Sequence, residues 1–495
     1  MASHWLTVVN GGGSYEAAVV QGYFQNKTEA IGMVEKFFKE ASARNVEIIV
    51  FAEGALGSNT AKVMWPMCEH LPEAPAALCG AKEATPLASA MSCFAREYRI
   101  VTVFAMCDIQ PCDAQRDNCT KWAVDGKYHF NTGVAIDRNG SMIAKYHKMH
   151  LYDSAPGVGE STHASYPPTA DPVFFDTHFG VRFGMHTCFD MAFRTPAAAI
   201  ALDPRLGIRD FVFPTGWVVG EPPMLPPNEV QQGWSRGVGV NLLAADGGHT
   251  WGSAGSGIYS QGVAIAKVYK PFELPDVEML IASVPKLTRS TPNLQATADV
   301  WKGYRTERAT ASLDHATRTL RTSPQGSGGE VVVPFFPQKE GRVNATTAGG
   351  FKCTFTYTAQ SSATSHEQYA LLAFEGAWLQ GVLPSRSCLV YRCPTAACSV
   401  HPLYSQPDDL KATLIFHRME LEGTFAAGDL VLPMVAVADG DIVDDIEMTY
   451  AGGYMSVEDL AKPLLNVMLY ANLPQASSIA VHDVLNSSKS NALVV

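Results

Sequence analysis

The chain has 495 residues, 47% of them hydrophobic and 17% charged, with a formal net charge of −11. That composition excludes a disordered chain, and an acidic balance without a basic stripe excludes a nucleic-acid partner. No run of 18 or more apolar residues predicts a transmembrane span, and Met1-Ala2-Ser3-His4-Trp5 has no signal-peptide pattern, so a secreted protein would be a processed form.

Residues 15–21 predict a first strand, and Thr28 a cap for a helix whose apolar stripe is Ile31, Val34, Phe38 and Ala41. Val46-Glu-Ile-Ile-Val-Phe51 predicts a buried strand ending at Ala52-Glu53-Gly54. A helix over 84–98 and β-rich segments at 100–105 and 131–136 follow, then a turn at Asp137-Arg-Asn-Gly140. The return arm 141–146 delivers Lys145-Tyr-His-Lys-Met-His-Leu151. Val181-Arg182-Phe183 leads into Gly184-Met185-His186-Thr187-Cys188-Phe189-Asp190 and a helix-compatible segment. Further strands are expected at 211–217, 240–245 and 256–259. Alternating strands and helices define an α/β catalytic domain over 1–287. Residues 288–330 read as a linker, and 331–495 as a β-rich, disulfide-linked domain with strands including 354–358, 413–417 and 430–435.

Ten of the eleven cysteines cluster, six between 68 and 119 and four between 353 and 398, while Cys188 stands alone. Up to five disulfides and one free thiol are expected, with Cys112 and Cys119 a natural pair. Cys388, Cys393 and Cys398 lack the two-residue spacing and partner histidines of a zinc site, so no metal is expected. Sequons at Asn26, Asn118, Asn139, Asn344 and Asn486 join the cysteines in favouring an extracellular, glycosylated protein.

Three positions suggest chemistry. A carboxylate at the mouth of a buried strand, Glu53, is costly unless paired or used, although an exposed loop glutamate is the plainer alternative. Lys148 lies in a basic cluster of an acidic protein, where a solvated cluster is the plainer alternative. Cys188 sits where a strand turns into a helix, so freed backbone N–H groups favour a thiolate and can receive an oxyanion. Its alternative is an ordinary buried cysteine. A sulfur nucleophile splits amide hydrolysis into two easier steps, with a glutamate moving the proton and a lysine meeting the oxyanion. That chemistry requires no metal or organic cofactor.

Phe51-Ala-Glu-Gly-Ala, Lys145-Tyr-His-Lys-Met-His-Leu, Thr187-Cys-Phe-Asp, Phe213-Pro-Thr-Gly-Trp, Val240-Asn-Leu-Leu-Ala and Gly255-Ser-Gly-Ile-Tyr occur in that order. Together with Ser387-Cys-Leu-Val-Tyr-Arg-Cys and Leu421-Glu-Gly-Thr-Phe, they resemble the nitrilase superfamily of carbon–nitrogen hydrolases, specifically its vanin and biotinidase branch. The resemblance covers nearly the whole chain. It implies an α-β-β-α sandwich with a β-rich partner domain, and a triad of Glu53, Lys148 and Cys188. It also implies a second carboxylate beside the lysine, Glu160 or its rival Asp153, an oxyanion-binding N–H at Phe189 and an orienting Asn131. Ala52 and Gly54 depart from the family pattern, which bears on substrate choice.

Trp217 and Trp234 are candidates to line an acyl pocket or to pack the core. His150 and His186 are expected to be structural, because the cysteine context is not papain-like. Asp190 is expected from its family position to give support. The reading is a secreted thiol amidohydrolase acting on a small linear amide, pantetheine first and biocytin second. The rival from another class is a secreted binding or storage glycoprotein on the same fold.

Overall fold

Ile48-Ile49-Val50-Phe51 forms a short strand in which every residue is fully buried, and the first sheet is built around it. A strand covered on both faces reads as a continuous apolar run, as this one does. The computed structural model describes residues 10–23, 27–56, 68–81, 86–112, 126–155, 158–167, 172–247, 254–272, 277–287, 329–360, 367–378, 383–399, 404, 406–443, 448–451 and 453–473.

The early strands are β1 (Asn10–Gln21), β2 (Ile48–Phe51), β3 (Ala76–Ala77), β4 (Val101–Pro111), β5 (Lys127–Ile136) and β6 (Ser141–His147). A small hairpin follows, of β7 (Asp153–Ala155) and β8 (Val158–Gly159). Next come β9 (Val173–Asp176), β10 (Arg182–Met185), β11 (Asp210–Thr215), β12 (Asn241–Asp246), β13 (Gly255–Ser260), β14 (Val263–Tyr269) and β15 (Glu278–Leu287). They form one sheet of order β15-β1-β2-β4-β5-β6-β3 and a second of order β14-β13-β12-β11-β10-β9. Helices α1 (Lys27–Ala43) and α2 (Pro86–Tyr98) meet over the first sheet, where Phe38 touches Phe51, Phe94 and Tyr98. Helix α3 (Pro227–Val238) lies over the second, with Trp234 edge-on to Phe211. Between the sheets, Tyr15 packs against Phe183 and donates its hydroxyl to Asp210. The layers are therefore α-β-β-α, as expected.

From residue 329 the described chain is strands and turns. Gly329–Phe335, Tyr369–Ala377, Leu383–Arg392, Val431–Val437, Asp441–Ile442 and Leu464–Asn472 make a six-stranded sheet. Glu340–Thr346, Lys352–Ala359, Phe416–Gly423, Met448–Ala451 and Tyr454–Glu458 make a five-stranded one, joined to the first by the Cys353–Cys388 disulfide. One face of the six-stranded sheet enters the hydrophobic core that also holds Cys188, Phe189 and Trp234. Helix α3 reaches that sheet through glycine: a Cβ on Gly233 would stand 2.6 Å from the Pro433 carbonyl oxygen.

Some expectations shift. The strand predicted at 413–417 begins only at Phe416, because the Thr413 and Leu414 N–H groups instead donate to the Glu367 carboxylate. The segment after Cys188 opens as a five-residue 3₁₀ turn, Cys188–Ala192, rather than an α-helix. Cys68–Cys107, Cys79–Cys93, Cys353–Cys388 and Cys393–Cys398 are bonded, and Cys188 is free and buried. Cys112 is also disulfide-bonded, but its expected partner Cys119 lies outside the described residues. Asn139 and Asn344 are exposed, whereas Asn26, Asn118 and Asn486 lie outside the described residues, as do linker residues 288–328. No described helix is long and apolar enough to cross a membrane.

Glu229 of α3 is fully buried where the helix meets the six-stranded sheet, accepting a hydrogen bond from Asn466 at 3.1 Å. Burial pushes its carboxyl up to about 8, against the opposing hydrogen bond. An unfolded glutamate ionises near pH 4.3, roughly. Between that pH and about 8 the folded chain keeps a proton that the unfolded chain has lost, so this group lowers stability as pH rises. Glu229→Gln is expected to raise the melting temperature relative to the parent, and by more at pH 8 than at pH 5. Thermal denaturation at the two pH values checks this.

Candidate active site

The site lies where β2, β6, β10 and β11 end, beside the middle of β5. Glu53 follows β2 in a tight turn, Lys148 follows β6, and Cys188 follows β10 by three residues. Lys148 Nζ donates to Glu53 Oε1 at 2.9 Å and to Glu160 Oε2 at 2.6 Å. Asn131 of β5 bridges the same carboxylates, its Nδ2 lying 2.6 Å from Glu53 Oε1 and 2.8 Å from Glu160 Oε1. The Asn131 carbonyl also accepts the Lys148 backbone N–H at 2.8 Å. The Gly216 N–H, just past β11, donates to Glu53 Oε2 at 2.8 Å, and the Tyr152 N–H donates to Glu160 Oε2 at 2.7 Å. Both carboxylates and the ammonium are thus hydrogen-bonded, as burial demands.

Glu53 and Lys148 are each 1% exposed and Cys188 is 4% exposed. Glu160 and Tyr152 are half-buried, so the cluster meets solvent on their side. Burial works against the Lys148 charge, but Glu160 and Glu53 outweigh it and hold the ammonium well above its ordinary range. Burial, with Glu53, pushes the Glu160 carboxyl up against the opposing pull of Lys148. Burial and then Glu53 push the Cys188 thiol up, with Lys148 opposing. Burial beside two carboxylates thus works against the thiolate that the five-residue 3₁₀ turn favours. Tyr152 is held at about 12, mainly by burial and next by the Cys188 charge, and its ring sits edge-on to Phe189.

The structure places the remaining candidates plainly. Asp153 accepts the Ser161 N–H, whereas Glu160 is the carboxylate on Lys148. Phe189 is buried directly after Cys188. Trp217 is 1% exposed, with its indole N–H donating to the Leu225 carbonyl. Trp234 is fully buried in the core against His186 and Phe211. His186 is held neutral, at about 3, by desolvation among aromatic rings. His150 stacks on Phe193, their ring centroids 3.7 Å apart. The three cysteines weighed as a metal knuckle are all half-cystines.

Asp190 makes contacts that suit the supporting role expected of it. Its Oδ1 accepts the His150 N–H at 2.9 Å and lies 2.8 Å from His150 Nδ1. Its Oδ2 accepts the Tyr146 hydroxyl at 2.7 Å and the Thr187 N–H at 3.1 Å. Burial alone would raise this carboxyl, but His150, Tyr146 and Lys148 outweigh it and hold it below the ordinary range. One charged side chain therefore pins residues on both sides of Lys148 to the residue before Cys188.

Residues 16–204 match the carbon-nitrogen hydrolase family, and residues 332–473 match the vanin C-terminal domain. This chain is a carbon–nitrogen hydrolase of the nitrilase superfamily. Within it, the chain belongs to the vanin branch. It is 28% identical to a pantetheinase of Canis lupus familiaris over 90% of this chain and 82% of that one. It is 29% identical to a biotinidase of Takifugu rubripes over 69% of this chain and 66% of that one. Vanin-like protein 1 of Drosophila melanogaster is 32% identical over 52% of this chain and 44% of its own. Among solved structures, an amidase from Nesterenkonia sp. aligns with a TM-score of 0.39 at 15% identity, covering 59% of this chain and 97% of its own.

Asp190→Asn is expected to lower turnover of an amide substrate roughly 100-fold, the scale of a small misplacement of reacting groups. KM should change little. An amide nitrogen would replace one acceptor oxygen and face donors. Steady-state kinetics with the folded variant check this.

Proposed function

We propose that the chain is an extracellular thiol amidohydrolase that cleaves pantetheine to pantothenate and cysteamine through a thioester on Cys188. The observation that carries this reading is the buried Glu53–Lys148–Glu160–Asn131 cluster, whose charges act directly on the only free cysteine among the described residues. A binding or storage protein has no need to bury an ammonium and two carboxylates against a thiol. Pantetheine is favoured by the pantetheinases among the relatives, with biocytin the second candidate substrate. An oxidising, extracellular setting is favoured by the four disulfides within the described residues, and exposed Asn139 and Asn344 are the sequons best placed to carry glycan. Residues 1–287 would then be the catalytic domain and 331–495 its β-rich partner.

In this mechanism Glu53 takes the thiol proton as sulfur attacks the amide carbon. A neutral thiol is the fitting start, because proton and charge leave together. The developing oxyanion is met by the Lys148 ammonium and by the N–H of Phe189 at the first turn after the nucleophile. Glu53 returns the proton to the leaving amine, the C–N bond breaks, and a thioester remains. Glu53 next takes a proton from water. The hydroxide adds to the thioester, the C–S bond breaks, and the acid leaves with the thiol restored. Glu160 and Asn131 fix the lysine and the glutamate relative to one another, so that Lys148 keeps its charge throughout.

Turnover of paired pantothenyl and biotinyl fluorogenic amides tests the proposal. The wild type is expected to release amine from the pantothenyl amide faster than from the biotinyl one. Cys188→Ala should remove turnover, and Glu53→Gln should lower kcat by roughly 10²–10⁴-fold. Wild-type protein inert towards both amides, or a Cys188→Ala variant as active as the parent, refutes it.

A further inference from the structure

Thr215 ends β11 and is fully buried. Its hydroxyl finds no hydrogen-bond partner in the resting structure. A buried hydroxyl without a partner is uncommon and asks for a reason. The nearest carboxylates are already engaged. Asp246, which faces Thr215 across β11 and β12, accepts the Trp217 N–H on one oxygen and the Gly255 N–H on the other. Glu53 Oε2 accepts the N–H of Gly216, the very next residue. Strand β11 also runs parallel to β10, so Thr215 ends beside the turn that carries Cys188. The group this hydroxyl addresses is the Cys188 sulfur, whose negative charge it favours.

We infer that Thr215 is a further catalytic residue of this hydrolase, a hydroxyl donor held ready for the negative charge that develops on Cys188. This rests on Cys188 being the nucleophile. A neutral thiol is a poor acceptor, so the contact is weak at rest and strengthens as Glu53 withdraws the proton. An interaction stronger in the transition state than in the ground state raises kcat rather than binding. It matters again when the C–S bond breaks and the thiolate is the leaving group. The O–H of Thr215 shares its proton with sulfur without surrendering it, so Glu53 remains the group that carries the proton. Adjacent residues of one strand end thereby set both partners of the proton transfer, Thr215 the sulfur and Gly216 the carboxylate.

Thr215→Val keeps the shape and removes the donor, while Thr215→Ser keeps the donor. Three readouts separate the cases: kcat and KM on the pantothenyl or biotinyl amide that the wild type turns over, the pH profile of iodoacetamide alkylation at Cys188, and the melting temperature. Thr215→Val is expected to lose roughly tenfold to a hundredfold in kcat, the range for a hydrogen bond to a charged group, with KM little changed. Its alkylation profile should move to higher pH, and Thr215→Ser should stay close to wild type in both. Should Thr215→Val fail to fold, Thr215→Ala against Thr215→Ser gives the same comparison. A valine or alanine variant with wild-type kcat and alkylation, or a serine variant as impaired as the valine one, overturns the inference. A wild type whose turnover survives Cys188→Ala overturns the nucleophile itself, and so marks the failure of the broader proposal as distinct from this one.

Discussion

A lysine ammonium sealed from water sets the terms for everything around it. Lys148 is 1% exposed, and an isolated charge at that depth would surrender its proton before the fold would tolerate it. Two carboxylates prevent that and one amide ties them together, each from a different part of the chain: Glu53 after β2, Glu160 after the β7–β8 hairpin, and Asn131 within β5. The first sheet must therefore bring the ends of β2 and β6 beside the middle of β5. Its order places β4 between β2 and β5, with β6 next to β5. The charge cluster then acts on a sulfur supplied by the other sheet. The layered sandwich is what lets an ionic half and a nucleophilic half be built separately and meet.

The second sheet contributes mostly by positioning. β11 offers the Gly216 N–H to Glu53 just past its last residue, crossing from one sheet to the other. Asp190 makes the same crossing in reverse, from the Cys188 turn to Tyr146 and His150 on either side of the lysine. These links are buried or partly buried and involve a carboxylate, the strongest class of hydrogen bond available to a protein. They explain how side chains as far apart along the chain as Glu53 and Cys188 can keep one arrangement.

Much of this was legible in the sequence. The α-β-β-α layering and the β-rich continuation followed from hydrophobic runs such as Ile48–Phe51 and from the loss of helical periodicity late in the chain. Glu53, Lys148 and Cys188 were conspicuous because each follows a strand end with an atypical residue. The choice between Glu160 and Asp153 was not legible, because the small hairpin between Tyr152 and Glu160 decides which carboxylate reaches the lysine. Gly216 was invisible for a simpler reason: a backbone N–H belongs to every non-proline residue, and only the fold says where it points. Trp234 shows the limit of composition, since an aromatic on a helix beside the site packs against His186 and Phe211 in the core. The upward push on the Cys188 thiol was not legible, because local sequence shows a turn and its dipole but not the desolvation imposed by neighbours far along the chain.

The glycine seat between α3 and the strand Val431–Val437 bears on how a reactant arrives. With no side chain at Gly233, helix backbone rests against the Pro433 carbonyl, and a slip by one residue would drive Trp234 or Gln232 into it. Helix α3 and the six-stranded sheet are keyed together at this point. The flank on which the charged cluster meets solvent is the Tyr152 and Glu160 side, away from that seat, so the approach to the sulfur need not disturb it.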